Sequence, residues 1–493
     1  MRGGTRPGPD RFRRPVTIRL RLLCESGPVT TSARHVVVVG GGISGLAAAW
    51  FLRRDASGTR VTVLEASDRV GGALRVSELA GVHVDVGAES LLLRRPEAVA
   101  LAESVGLELQ DAATTSASVW TRGALRPLPS GTVMGVPADL RALAASGLLT
   151  KGELARVPID SWLPRLPLGE DVSVGRLVSS RLGRAVLDRL VEPLLGGIYA
   201  GHADRLSVQA TLPQLWPHVR RHRSLVAAAR ASREASPSPP GAVFGAPRGG
   251  VGRLPAAVVA RSGAEVRTGA MVRGLRRTDA GWELTVGPIR SPEVVGADAV
   301  ILAVPAAPAA RLLRAEVPHA AAELAQVRAS SMAVVSLALP AGAVPGPLPG
   351  SGFLVPPVDG RTVKAVTFSS SKWGWTADAA PGLLLLRASV GRMGEEATLH
   401  RPDTEIVDLV LADLTDALGV TDPPVDARVT RWGGALPQYA VGHRGRVDRI
   451  RAAVARVPAL AVCGATYDGV GVPACIATAE AATTEVLRQW GRE

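Results

Sequence analysis

Two neighbouring stretches constrain this chain more than all the rest: VVVVGGGISGLAAAWFLRR from Val36 to Arg54, and VTVLEASDRVGG from Val61 to Gly72. The four valines predict a buried strand, and Gly40, Gly42 and Gly45 then fall in a G-x-G-x-x-G frame that opens a helix. The first glycine permits a tight turn, the second lets the backbone approach a diphosphate, and the third lets helix and strand pack closely. The helix N-terminus supplies N–H groups and a positive dipole end for the phosphate. A second strand ends at Glu65, about 20 residues further on, where a carboxylate accepts hydrogen bonds from ribose hydroxyls and repels a 2′-phosphate. Val36–Leu52 is nearly all apolar, but its 17 residues fall short of the ~18 of a membrane span and include four glycines in a mechanistic frame. A dinucleotide-binding α/β unit explains them better.

At 493 residues the chain exceeds the ~250–300 at which one core stops growing, so two or three structural units are expected. The net charge is +13, of which the first 33 residues contribute about +5 through seven arginines set against Asp10 and Glu25. That stretch has no apolar core followed by a small-residue cleavage site, so it reads as a disordered basic extension rather than a signal peptide. Aromatic residues make up only 3%, which argues against base-stacking platforms and hence against nucleic acid. Anionic small molecules, or at most a peripheral membrane contact, remain for the basic excess. Cys24, Cys463 and Cys475 are too few and too scattered for a disulfide framework or a metal knuckle, which suits a cytoplasmic protein without a metal site.

Further along, GVHVDVGAES (Gly81–Ser90) alternates as a strand into a turn, and Pro96–Leu107 reads as a helix. Leu140 to about Ala200 is mostly amphipathic helix with Gly and Pro breaks, and a long helical segment is expected from Ser207 to Ala235, ending in the connector SPSPPG. PRGGVGRLPAAV and GADAVILAVPAAP carry glycines before an apolar helix and a buried strand before a proline-started one. Between Ser331 and Val390, SMAVVSLALP, RTVKAVTFSS and GLLLLRASV alternate as strands of an antiparallel sheet suited to one wall of a substrate cavity. The chain closes as strand, glycine turn and terminal helix, with Pro473 in the first helical turn.

GGGISGL, LEASDRVGG, GAES, PRGGVGRLP, DAVILAVPA and GATYDGVGVP, in this order, resemble the FAD-dependent porphyrinogen oxidases of the amine oxidase superfamily, and most closely their bacterial coproporphyrinogen III oxidase branch. EPLLGGIYAGHADRLS, SSSKWGW and LPQYAVGH favour the porphyrinogen oxidases over amine oxidases and carotenoid desaturases within it. The resemblance covers about Arg34 to the C-terminus. It implies an α/β fold, α+β overall, in which a Rossmann-like FAD-binding domain (34–92, 243–309 and 457–493) carries a helical subdomain (109–205) and an antiparallel-sheet substrate domain (93–108, 206–242 and 310–456). It further implies that Gly40, Gly41, Gly42, Ile43, Ser44 and Gly45 hold the diphosphate, and Glu65 with Ala66 the ribose. Arg69, Gly72 and Ala73 would line the cofactor further along, Gly87, Ala88, Glu89 and Ser90 would lie near the flavin, and Val272 would meet the adenine. Gly464 belongs to the closing glycine turn, and Val470, Gly471 and Val472 would lie under the pyrimidine edge.

The same resemblance implies a porphyrinogen substrate and, with only one dinucleotide fingerprint visible, molecular oxygen as reoxidant. A porphyrinogen loses six hydrogens, so a two-electron flavin turns over three times, and hydrogen peroxide is the by-product. The cofactor carries the redox chemistry, and no Ser-His-Asp or carboxylate pair stands out as catalytic. His83, His202, His319 and His443 read as surface or hydrogen-bonded residues. Propionates call for guanidinium or ammonium partners, and Arg122, Lys372 and Arg387 are the candidates, together with Arg126. Protoporphyrinogen IX as substrate, another amine oxidase or desaturase activity, and a non-catalytic flavin or porphyrin carrier are the alternatives.

Overall fold

β1 (His35–Val39), helix α1 (Ile43–Asp55) and β2 (Arg60–Leu64) form the strand–turn–helix–strand unit that the first motif dictates. The protein is described by a computed structural model over residue 1, residues 33–236 and residues 241–490. The basic extension and most of the SPSPPG connector therefore lie outside the described residues. Val36 to Val39 are all buried, as in a strand covered on both faces. α1 is buried nearly all round, its alanines letting it pack against the sheet and other helices. A hairpin of β3 (Val76–Leu79) and β4 (Val82–Asp85) follows.

A second hairpin, β5 (Ser118–Thr121) and β6 (Ala124–Pro127), precedes a cluster of short helices that ends in α2 (Glu192–Tyr199). Beyond α2 the expected long helix is three pieces, Val208–Thr211, Trp216–Arg221 and Leu225–Ala235. Pro213, which cannot donate the backbone hydrogen bond that a helix interior requires, explains the first break; at the second, His222 turns extended and Ser224 caps the next helix by accepting from Ala227 N–H. Leu212, Leu215, Val219 and Ala229 share one core with Leu177, Leu187 and Leu190. This stretch therefore packs with the helical cluster, not with the substrate sheet where sequence grouping had put it.

Helix α3 (Leu254–Ser262), β7 (Glu265–Arg267) and β8 (Ala299–Leu302) return the chain to the first unit. A large sheet then forms from β9 (Ala329–Pro340), β10 (Gly352–Leu354), β11 (Val363–Phe368), β12 (Leu383–Val390) and, after helix α4 (Asp403–Leu418), β13 (Asp426–Pro437). β14 (Leu460–Val462) and helix α5 (Val472–Trp490) close the chain. The nucleotide sheet has the order β7-β2-β1-β8-β14, all parallel, so three distant segments complete one Rossmann-like layer. The large sheet has the order β13-β9-β12-β11-β10-β5-β6. It is mixed rather than purely antiparallel, because the hairpin of residues 118–127 docks onto β10 through a parallel pair. Sequence grouping had placed that hairpin with the helices.

The two faces of the large sheet do different work. Val335, Leu337, Val366, Phe368, Leu386 and Ala388 pack on Ile406, Val410 and Leu414 of α4. Strand alternation turns Ser336, Thr367 and Arg387 to the opposite face, which meets the β3–β4 hairpin where Ala338 and Leu385 touch Val82 and Val84.

Candidate active site

The glycine loop between β1 and α1 is shaped by close contacts on two sides and space on a third. Gly40 sits at φ +109°, where a Cβ would lie 2.5 Å from the Ala303 carbonyl oxygen. A Cβ on Gly45 would lie 1.9 Å from the Gly40 oxygen. Gly42 differs: nothing stands within 4 Å of its Cβ position, and no side chain caps α1 there. The helix start is thus left with N–H groups facing open space.

Glu65, at the end of β2, turns back onto this loop. Its Oε2 accepts from Gly41 N–H at 2.6 Å, and its Oε1 accepts from the Ser67 N–H and hydroxyl at 2.8 and 2.7 Å. Ala270 N–H donates to the Glu65 carbonyl, which brings Val272, one residue pair further on, to the same end. Gly71 N–H donates to the Gly41 carbonyl, and Gly72 (φ +55°) lies against Gly42, its Cβ position 3.2 Å from the Gly42 Cα. Arg69 folds over the same loop, donating to the Val70 and Gly72 carbonyls, while Ala66, Gly72 and Ala73 stay exposed at its rim. Gly464 completes the ring: its Cβ position is 3.7 Å from the Ser44 hydroxyl, and its N–H is held by Thr478 on α5. Gly471 and Val472 open α5, with Gly471 exposed.

The next segment, Gly87–Ser90, rests on Ala73, whose carbonyl accepts from Ala88 N–H and leaves no space for a side chain at position 87. Here the structure gathers residues far apart in sequence. Glu89 accepts from the Ser369 hydroxyl at 2.7 Å and faces Lys372 Nζ at 3.5 Å and Arg387 at 3.7 Å. Lys372 Nζ also donates to Ser90 at 2.6 Å, and Arg387 donates to the Gly87 carbonyl. Burial alone would raise the Glu89 carboxyl, but the two cations and the Ser369 hydroxyl hold it below its ordinary value. Asp85, just upstream, accepts from Val251 and Gly252 N–H at 2.8 Å each, yet burial pushes its carboxyl up to about 7. Ser336, Trp373, Trp375 and Thr376 line a cavity of about 10 Å³ with Asp85, Glu89 and Arg387. Each keeps a polar atom without a partner, so the space suits roughly one bridging water.

Sequence reasoning named Glu89, Lys372 and Arg387 separately; their meeting could not be read from it. It missed Asp85, Ser369, Trp373 and Trp375, although all four sit inside motifs it singled out. Arg122 is not brought to this cluster. It occupies the exposed turn of the β5–β6 hairpin at φ +55°, its guanidinium near the Gly147 and Leu148 carbonyls at 3.4 and 3.3 Å. His202 is hydrogen-bonded to Glu192 and the Met393 carbonyl, and His443 is buried against Tyr467.

The flavin containing amine oxidoreductase profile matches residues 43–487. The chain belongs to that family. Among its relatives, a coproporphyrinogen III oxidase from Mycobacterium tuberculosis is 40% identical, with 92% of this chain and 97% of the relative aligned. A coproporphyrinogen III oxidase from Bacillus subtilis is 33% identical over 92% of this chain and 98% of its own. A crystal structure from Exiguobacterium, carrying a provisional protoporphyrinogen oxidase name, superposes with a TM-score of 0.81 at 32% identity, covering 94% of this chain and all of that one. A reduced UDP-galactopyranose mutase shares the fold alone, at a TM-score of 0.70 and 15% identity.

A flavin containing amine oxidoreductase needs a diphosphate cradle, and the residues present fit one. The open Cβ position at Gly42, beside an uncapped helix start and a carboxylate at the end of β2, is the space such a group requires. FAD is the cofactor. No helix among the described residues is long and apolar enough to cross a membrane, and no group of His, Cys, Asp or Glu among them could hold a metal ion.

Proposed function

We propose that the chain oxidises coproporphyrinogen III to coproporphyrin III, with molecular oxygen as the final electron acceptor and hydrogen peroxide as by-product. Bound FAD supplies the two-electron acceptor for each of the three dehydrogenations. The chain's own residues bind, orient and neutralise. The glycine loop and the start of α1 would hold the diphosphate, Glu65 and Ala66 the ribose, and Val272 the adenine side. Gly87–Ser90, with Val470–Val472 from the start of α5, would border the reacting ring.

The observation that carries this reading is the Lys372–Arg387 pair beside the Gly87–Ser90 segment. Two nearly buried cations pair with one carboxylate, Glu89, so the cluster keeps a positive balance while Asp85 beside it is protonated, where an anionic substrate would meet the flavin. A guanidinium or ammonium in such a dry setting attracts a carboxylate more strongly than the same charge in water. The coproporphyrinogen III oxidases of M. tuberculosis and B. subtilis, aligned along nearly their whole lengths, support the same substrate. Coproporphyrinogen III has four propionates, against two in protoporphyrinogen IX, which suits a cationic site. Free Cys463 and Cys475 accord with a cytoplasmic setting. Competition between the two porphyrinogens under air, resolved by chromatography of the products, tests the proposal. A higher kcat/KM for coproporphyrinogen III is expected; a clear preference for protoporphyrinogen IX overturns it.

A further inference from the structure

β11 reads VKAVTF, and strict alternation would put Lys364 on one face with Val366 and Phe368, in the apolar layer against α4. The pairing with β12 slips between Val363 and Ala365. That bulge leaves Val363 in the α4 layer and turns Lys364 to the other face, where its Nζ lies 3.8 Å from the Met332 sulfur. Lys364 is 1% exposed, and Nζ has no carboxylate partner. The buried arginines differ: Arg181 is paired with Asp160, and Arg392 with Glu395 and two carbonyls. An ammonium left buried without a counter-ion is costly, so the folded chain holds a site with a missing anion.

Two features place that site on the substrate side. Lys364 shares its sheet face with Ser336 and Arg387, the latter part of the cationic cluster described above. α2 crosses β10 and β11 with Gly197 and Ile198 exposed, although the rest of that helix is largely buried. Met332, which covers Nζ, is itself part-exposed, and an unbranched thioether swings aside at little cost. We propose that Lys364 binds one carboxylate of the substrate, which supplies the counter-ion that the described residues do not. This inference rests on the porphyrinogen reading and adds to it a residue that receives a substrate carboxylate.

Burial, with Arg392 and Arg387 nearby, lowers the Lys364 amine to about 7. Around it, Glu192 is engaged by His202 and Ala203 N–H, Glu395 by Arg392, and Asp413 of α4 by Arg361 and Val363 N–H. No carboxylate is thus free to recharge Lys364, whereas a bound one would. Binding near pH 7.5 therefore takes up a proton, and affinity falls as pH rises above about 7. His202, whose imidazole is held above its ordinary value by the hydrogen bond to Glu192, is the control.

The test is calorimetric titration of the holoenzyme with coproporphyrin III, in two buffers of different ionisation enthalpy across pH 6.5–8.5. Wild type and His202→Gln should bind with net proton uptake. Lys364→Met should lose the uptake and at least tenfold in affinity while keeping its flavin content. Binding by wild type without uptake overturns the inference and needs no variant to fold. So does a Lys364→Met protein with unchanged affinity and uptake. A wild-type enzyme that neither binds coproporphyrin III nor oxidises coproporphyrinogen III overturns the proposed function, and this inference with it.

Discussion

At Gly42 the chain leaves room for a side chain, and at Gly45 it does not, so two neighbouring glycines should fail differently. The Cβ of Gly42→Val meets no protein atom within 4 Å, so the fold should form, but its methyl groups would occupy the diphosphate space and the purified protein should be colourless. Gly45→Ala drives a Cβ to within 1.9 Å of the Gly40 oxygen and should lower the melting temperature before it affects flavin. Absorbance at flavin wavelengths, read beside thermal melts, separates the two; a yellow Gly42→Val protein would remove the loop from the cofactor site. Asp85 offers a pH test. Its folded pKa of about 7 lies above the ordinary 3.8, so the folded chain binds more protons than the unfolded one between those values. Stability should therefore fall as pH rises through that window, by at most about 4 kcal/mol, and the loss is complete above it. Asp85→Asn stays neutral at every pH, so its melting temperature should lose that slope, although a single amide oxygen then replaces the two acceptors of Val251 and Gly252 N–H. A wild-type profile flat from pH 4 to 7 would contradict the assignment.

Among the elements, the helical cluster hangs on one buried ion pair. Asp160 accepts from Arg181 Nε at 2.5 Å, from the Ser224 hydroxyl at 2.6 Å and from Val226 N–H at 3.0 Å, tying together three helical segments. Asp160→Ala should cost about 3–5 kcal/mol, because it strands a buried guanidinium. A calorimetric melt measures that loss, and a change below 1 kcal/mol would show that the cluster does not depend on the pair. This pair also marks where sequence reading stops at this scale. Periodicity and glycine spacing located β1, α1, β2 and α5, because a strand or helix is encoded in consecutive residues. It could not show that hairpin 118–127 joins a sheet whose other strands begin at residue 329, or that β11 slips by one residue. Each depends on a partner far along the chain.

Across the whole molecule the same division holds. The glycine loop proposed to hold the diphosphate was legible as a strand–turn–helix–strand unit because Gly40–Gly45 and Glu65 lie within one local stretch. The charged cluster was not, because Ser90 and Lys372, or Gly87 and Arg387, are about 280 to 300 residues apart and meet only once both sheets have formed. The basic extension is a whole-molecule question too, since it carries about +5 of the net +13 without helical or strand periodicity. The fold takes hold at Arg34, whose guanidinium lies 4.9 Å over the Trp490 ring, and at His35, whose N–H donates to Asp298 at 2.5 Å. A deletion of residues 1–33 stops short of both anchors. The truncated protein should keep its flavin content, melting temperature and kcat/KM within twofold, since Arg34, His35 and the partners they meet all remain. It should also bind anionic vesicles more weakly at low salt, because long-range attraction to a negative surface scales with the charge removed and is screened by ions. Flavin loss or a tenfold fall in turnover on truncation would show instead that the extension belongs to the catalytic unit, and equal vesicle binding by both forms would place any membrane contact on the folded body.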